Sequence, residues 1–321
     1  MKSIVLPPFA VLLGCVAALA SAAASLETWR HDDTEGDAYI CVPKGAPPFP
    51  AVVLNHGIYI DQRGLGAAKR RGYDPEALCE TLAMDGYLAF LPIRRSGGSN
   101  LKAHFREVMA ALGAVRARPD VDRGRVTLAG HSRGGLLSLV AAVRGAPVRS
   151  YLLLAPASGG RGILTQLLGA VGRIDTPLLV MVERSDKFSE VKDTVDRLEE
   201  ALRATDAPYK VIRYDRGGGH DLFLAPGYYW SDMLSFLRDP PGAAGAKGPA
   251  PGGPETARQS RPRPTPDRMI QVMDADGDGA IAESEFKGRD RPFSDFDRNG
   301  DGVATREELE AALAAAGPRD Q

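Results

Sequence analysis

Three side chains far apart in the chain have the types needed to activate a hydroxyl: Ser132, Asp186 and His220. A serine hydroxyl is a poor nucleophile near neutral pH. It needs an imidazole to take its proton, and the imidazole needs a carboxylate to hold its tautomer. Ser132 lies in Gly130-His131-Ser132-Arg133-Gly134, a G-x-S-x-G pattern set after a predicted strand, Arg125 to Ala129, and before a helical pattern from Leu136. A serine raised on so sharp a turn needs strained backbone angles and small neighbours, which Gly130, Gly134 and Gly135 supply. His220 is the only histidine after Ser132 and follows three glycines past the last predicted strand. Asp186, in the loop after the predicted strand Leu178 to Val182, is the expected acid. Glu183 is the rival if that strand ends earlier, whereas Asp215 and Asp221 lie too close to His220 in sequence to approach it from the far side. The expected oxyanion donors are the backbone amides of Arg133 and of Ile58, in Asn55-His56-Gly57-Ile58-Tyr59, with the Tyr59 side chain as a helper. His56 is read as structural.

A second set of residues has the spacing of a metal loop. Asp274, Asp276, Asp278 and Glu285 fall at positions 1, 3, 5 and 12 of a twelve-residue EF-hand loop, with Gly279 at the turn and the Ala280 carbonyl at position 7. Asp297, Asn299, Asp301, the Val303 carbonyl and Glu308 repeat the pattern around Gly302. Oxygen ligands in this order suit calcium. Ile281 and Ala304 occupy the position at which paired loops meet. Eleven residues, Phe286 to Phe296, separate the loops, so the intervening helix is expected to be shared or shortened. An acidic, turn-rich tail without metal would leave both glutamates unexplained.

The elements that must position the first set alternate in type. Strands are predicted at Ala38 to Val42, Ala51 to Asn55, Tyr87 to Leu91, Arg125 to Ala129, Ser150 to Leu154, Leu178 to Val182 and Lys210 to Tyr214. Helices are predicted at Pro75 to Met84, Leu101 to Ala117, Leu136 to Arg144, Val191 to Ala204 and Tyr228 to Leu237. Strand and helix in alternation give an α/β class, a mostly parallel sheet covered by helices. Residues 239–266 hold eight prolines and five glycines, a composition that reads as a tether. The expected division is a leader at 1–25, an α/β domain at 26–238, the linker at 239–266 and a small all-α EF-hand pair at 267–316.

Taken together, the His-Gly after one strand, Gly-His-Ser-Arg-Gly-Gly at the turn, the Asp186 loop and the glycine-flanked His220 resemble the dienelactone-hydrolase and acylaminoacyl-peptidase-like branch of the α/β-hydrolases. The resemblance covers residues 30–238. It implies hydrolysis of esters, lactones or peptides through an acyl-enzyme, with no cofactor for catalysis. Dienelactone hydrolases use a cysteine where this chain has Ser132, which argues against that particular reaction. The oligopeptidase members carry a large N-terminal propeller, for which the residues before the first predicted strand leave no room. The expectation is a serine esterase acting on a small-molecule ester. A peptidase or amidase, and a calcium-dependent binding protein on an inactive hydrolase scaffold, are the rivals. Arg94-Arg95-Ser96-Gly97-Gly98-Ser99 resembles a run in the peptidase-like members, either as an anion site or as a loop supporting the turn. Residues 156–175 are read as the only room for a lid, which predicts an open cleft.

Composition sets the remaining limits. The net charge of −1 conceals a tail, residues 267–321, with 14 acidic against 7 basic side chains, and no nucleic-acid footprint is present. Lys2, the apolar run Ile4 to Leu19 and the small residues near Ala20 lay out a secretory signal, too short for a spanning helix. Leu12-Leu13-Gly14-Cys15 loosely resembles a lipobox, so export predicts a membrane association only if Cys15 is lipidated. Cys41 and Cys79 remain in an exported chain, as a disulfide or as two buried thiols.

Overall fold

The computed structural model describes residues 24–241, 266–273, 279–286 and 292–315. Residues 1–23 of the expected leader, Cys15 among them, most of the linker, and Asp274, Asp276 and Asp278 lie outside the described residues. The chain divides into two compact units, Met1–Gly248 and Pro249–Gln321.

In the first unit, eight strands form one sheet: β1 (Ser25–His31), β2 (Thr34–Cys41), β3 (Phe49–Asn55), β4 (Leu88–Ile93), β5 (Val121–His131), β6 (Ser150–Leu154), β7 (Leu178–Glu183) and β8 (Tyr209–Tyr214). Their order is β1-β2-β4-β3-β5-β6-β7-β8. The first two pairings, β1 with β2 and β2 with β4, are antiparallel, and the rest are parallel. β6 and β7 are buried at every position, as expected of parallel strands covered on both faces. β1 is missing from the sequence reading because its pattern is almost wholly exposed and gives no apolar alternation.

Helices cover the sheet: α1 (Ile58–Arg63), α2 (Leu65–Arg70), α3 (Pro75–Met84), α4 (Leu101–Ala117), α5 (Arg133–Val143), α6 (Arg161–Leu168), α7 (Ser189–Arg203) and α8 (Trp230–Arg238). α3 begins at a Pro behind an Asp74 cap, whose carboxylate accepts the Ala77 amide at 2.9 Å. α7 buries Val191, Thr194, Val195, Leu198 and Leu202, one face at helical spacing. α5 is buried from Gly134 to Val143, a run of apolar residues and glycine broken only by Ser138, as suits a helix covered on all sides. It starts at Arg133, three residues before the expected Leu136, so its N-terminus adjoins Ser132.

Cys41, at the end of β2, and Cys79, in α3, form a disulfide with Cα atoms 5.6 Å apart, which settles the alternative between bridge and thiols. Among the described residues no helix is long and apolar enough to cross a membrane.

The second unit contains α9 (Pro266–Met273), α10 (Arg306–Ala315) and a two-stranded ribbon of β9 (Ile281–Ala282) with β10 (Val303–Ala304). Ile281 faces Ala304 across the ribbon, the pairing that the loop spacing predicts. Met269, Ile281, Phe296, Ala304, Leu309 and Ala312 form its core. Between the loops the described residues show a single 3-10 turn, Phe293–Asp295.

Candidate active site

In a parallel sheet the crevice outside the carboxyl ends of the strands is where ligands bind, beside the strand at which chain order reverses. Here β3 has β4 on one side and β5 on the other. The loops after β3, β5, β7 and β8 carry Ile58, Ser132, Asp186 and His220.

Ser132 links β5 to α5 at φ 54 and ψ −112, a left-handed conformation that a side-chain-bearing residue adopts only under strain. Its amide donates to the Leu154 carbonyl at 2.8 Å, and its carbonyl accepts the amides of Leu136 and Ala157, both at 3.0 Å. Glycine is obligatory around this turn. A Cβ on Gly130 would lie 2.2 Å from the Gly134 carbonyl carbon, and one on Gly134 would lie 2.2 Å from the Asn55 carbonyl oxygen. Arg133 opens α5 and Ile58 opens α1, so both expected oxyanion amides sit in first turns, where the helix offers no internal acceptor.

His220 Nδ1 lies 2.7 Å from Asp186 Oδ2, so the ring donates this proton to the carboxylate and leaves Nε2 bare. Asp186 Oδ1 accepts the Phe188 amide at 2.8 Å, and Asp186 is buried. Gly219, at φ 53, brings the histidine loop against the acid loop: a Cβ there would be 3.4 Å from the Ser185 carbonyl oxygen. The rival Glu183 is turned elsewhere. Fully buried, it accepts the Ser185 hydroxyl, the Ser185 amide at 2.6 Å and the Gly217 amide at 3.2 Å, so it ties the acid loop to the histidine loop. Asp221 faces Arg71 at 3.1 Å and Lys187 at 3.3 Å.

His131 has a place the sequence reading gave it no reason to hold. Its ring centroid lies 4.6 Å from that of His220, while Phe188 meets the His220 ring edge-on, with centroids 4.8 Å apart. His131 Nε2 donates to the His220 carbonyl at 3.0 Å. Burial, and then the neighbouring His220, hold the His131 pKa down to about 3, so the ring is neutral at physiological pH.

The loop after β3 is fixed from below. His56 Nε2 accepts the Arg94 amide at 3.0 Å, and burial keeps its pKa well below the usual range, which agrees with its structural reading. Arg94, buried, makes a two-point ion pair with Asp61, Nε to Oδ1 at 3.0 Å and Nη2 to Oδ2 at 2.7 Å, and donates to the His56 carbonyl at 2.9 Å. Arg95 pairs with Glu35 and Asp37. Of the two readings of the Arg94-Arg95 run, loop support therefore describes Arg94, and neither guanidinium lines the cleft.

Ser132, His220 and Ile58 line one cleft of about 340 Å³. Its walls come from several parts of the chain. Ala157 and Ser158 come from the segment expected to supply the lid, but Tyr59, Ile60, Gln62, Ala68, Arg71 and Tyr73 come from α1, α2 and the turn beyond. Gly64 and Gly66 break the helical pattern there, which hid both short helices. Tyr59 lies under the Arg71 guanidinium, 5.1 Å from ring centroid to cation.

Residues 37–226 match the dienelactone hydrolase family. The chain belongs to that family. Residues 267–288 and 291–314 match EF hands. Among solved structures, dipeptidyl peptidase 4 of Porphyromonas gingivalis superposes with a TM-score of 0.54 at 17% identity over 68% of this chain; this chain spans about a third, 35%, of that one. A Klebsiella pneumoniae protein assigned as a dienelactone hydrolase gives a TM-score of 0.51 at 22% identity, over 67% of this chain and 98% of its own. An acetyl xylan esterase from Paenibacillus sp. R4 gives 0.50 at 19%, over 70% and 85%. At these identities the likeness speaks to the fold. No curated protein matches the chain.

The second EF-hand loop is described in full. Gly302 takes φ 89 at the turn. Asp297 accepts the Gly300 amide at 2.8 Å and the Gly302 amide at 2.9 Å, and Asp301 accepts the Val303 amide at 3.0 Å. Glu308 accepts the Thr305 amide at 3.0 Å and the Asn299 amide at 3.2 Å, so the loop's two ends already meet. Every side-chain donor is a hard oxygen, which fits a calcium ion. In the first loop Ala280 and Glu285 are described, and Glu285 accepts the Ala282 amide at 2.9 Å.

Proposed function

We propose that this family member is an exported serine hydrolase that cleaves carboxylester bonds by acyl transfer through Ser132, His220 and Asp186. The observation that carries this reading is the His220–Asp186 hydrogen bond of 2.7 Å beside a cleft that the strained Ser132 also lines. His220 Nε2 takes the Ser132 proton as the hydroxyl oxygen attacks the ester carbonyl. Asp186 steadies the resulting imidazolium, and the Arg133 and Ile58 amides hold the oxyanion. The carbon–oxygen bond then breaks, the proton passes to the leaving alcohol, and water releases the acyl group by the same steps.

Calcium binding by the two loops is part of the proposal: Asp297, Asn299, Asp301, Val303 and Glu308 would hold one ion, and Asp274, Asp276, Asp278, Ala280 and Glu285 a second. The ions would brace the second unit and take no part in the chemistry. Export is supported by the N-terminal pattern and by the Cys41–Cys79 disulfide, a bond at home in an oxidising compartment. Membrane attachment would follow only from a lipid on Cys15.

The test is turnover of 4-nitrophenyl acetate and butyrate against aminoacyl 4-nitroanilides, with product analysis. The proposal expects the esters to be favoured by kcat/KM. Preferential anilide cleavage would replace it with a peptidase, and no turnover of either by a folded protein would leave a binding scaffold.

A further inference from the structure

At one end of the cleft stands a polar group without a partner. Tyr73 is 7% exposed and lines the cavity, and its hydroxyl has no hydrogen bond to any described residue. The hydroxyl oxygen is not sealed from solvent, so a ligand oxygen placed against it would exchange a bond to water for a direct one. The backbone that carries the side chain is held at two points: the Tyr73 amide donates to the Ala68 carbonyl at 3.0 Å, and the next amide, of Asp74, donates to the Leu224 carbonyl at 2.9 Å. Ile60, Ala68 and Leu224 give the surrounding cavity an apolar wall. At its mouth the Arg71 charge is already matched by Asp221.

We propose that this end of the cleft is a specificity subsite for an apolar arm of the substrate that ends in a neutral oxygen acceptor, an ether, ketone or hydroxyl oxygen, received by the Tyr73 hydroxyl. Burial raises the phenol's pKa, so the hydroxyl remains a neutral donor. A carboxylate in the same place would lose its water against apolar walls while Arg71 is paired with Asp221 and Arg94 with Asp61, which a neutral oxygen avoids. The alkyl arm gains from burial, and the oxygen takes the place of water on the Tyr73 hydroxyl.

This inference rests on the ester-hydrolase reading, and its test separates the two. The Ser132→Ala protein, unable to turn over ester, is titrated calorimetrically with matched esters whose arm ends in methoxy, in an alkyl group of the same length, or in carboxylate. The arm is placed once on the acyl side and once on the alcohol side. On one side the methoxy ester is expected to bind roughly fivefold to tenfold more tightly than its alkyl match, the worth of one neutral hydrogen bond. The carboxylate is expected to bind most weakly. Tyr73→Phe in the same background should bring the methoxy-to-alkyl ratio close to one. In wild type, needing no variant at Tyr73, the same ratio should appear in kcat/KM. A ratio near one on both sides, a ratio that survives Tyr73→Phe, or tightest binding of the carboxylate would overturn the subsite. Failure of wild-type Ser132 to react with a fluorophosphonate would instead count against the ester-hydrolase reading and leave the binding ratios to be judged alone.

Discussion

The Ser132 cleft and the loop from Asp297 to Glu308 both set carboxylates against backbone amides, yet at opposite degrees of burial. Asp186 is 2% exposed, and its two oxygens are taken by His220, 34 residues away in sequence, and by the Phe188 amide. Asp301 is exposed, and its partners and those of Asp297 are amides and an amide side chain of the same loop. The first arrangement is made by packing four loops onto one sheet, and its Asp186–His220 pair is formed without a ligand. The second is made by a dozen consecutive residues whose oxygens are held together only by local hydrogen bonds. A group buried against a distant partner is fixed in advance. A self-satisfied surface loop can turn its oxygens to a cation.

If the cleft is pre-built, removing one charge should disable chemistry without disturbing the second unit. Asp186→Asn is expected to lower kcat by about 10⁴-fold, because His220 loses the acceptor that sets its tautomer. Calcium titration of that variant should match wild type. A kcat within tenfold of wild type would remove Asp186 from the proposed machinery and return attention to Glu183.

Support beneath the cleft should show as stability. Asp61→Asn leaves the Arg94 guanidinium buried and uncompensated, and is expected to cost about 3 kcal/mol in urea unfolding. An unchanged midpoint would mean that the loop after β3 does not depend on this pair.

The loop should respond in the opposite sense. Glu308→Gln is expected to weaken one calcium site by about tenfold or more in competition with a chelating dye, with kcat for short esters unchanged. A parallel fall in kcat would show that the two units are coupled and would break the comparison.

The remaining effect is pH-dependent and concerns His131. Burial depresses its folded pKa to about 3 from an ordinary value of 6.5, so the unfolded chain binds more protons between these limits. Stability is present above about pH 6.5 and is lost as pH falls toward 3. Lowering the pH from 6.5 to 5 should therefore cost wild type about 2 kcal/mol through this residue. His131→Phe should lose correspondingly less over the same interval, measured by urea midpoints. Equal losses would show that His131 is not buried neutral.

What was legible follows the same division between local and distant. The twelve-residue loops could be read by counting, because their ligands and turn glycines are fixed by spacing; the Ile281–Ala304 pairing followed from position alone. Ser132 was legible because strand, glycine-rich turn and helix are contiguous. The α/β class and the five helices anchored by strong apolar faces were read with small shifts at their ends. β1 was not, since its exposed edge carries no alternation, and α1 and α2 were hidden by Gly64 and Gly66. With them were lost Arg71 and Tyr73 as cleft residues, whereas Tyr59 was expected at the site as a helper to the oxyanion. Asp61 and Arg94 are 33 residues apart, and no sequence signal joins them before β3 and β4 pair. Choosing between Asp186 and Glu183 likewise needed the point at which β7 ends, and β7 extends one residue past the expected Val182, to Glu183 itself.

The central claim is that Ser132 is an activated nucleophile, and it is tested most directly by labelling purified wild type and Ser132→Ala with a fluorophosphonate probe. The account predicts a single labelled adduct on Ser132 in wild type and none in the variant. A folded wild-type protein that takes no label, or a Ser132→Ala protein that labels equally, would contradict it.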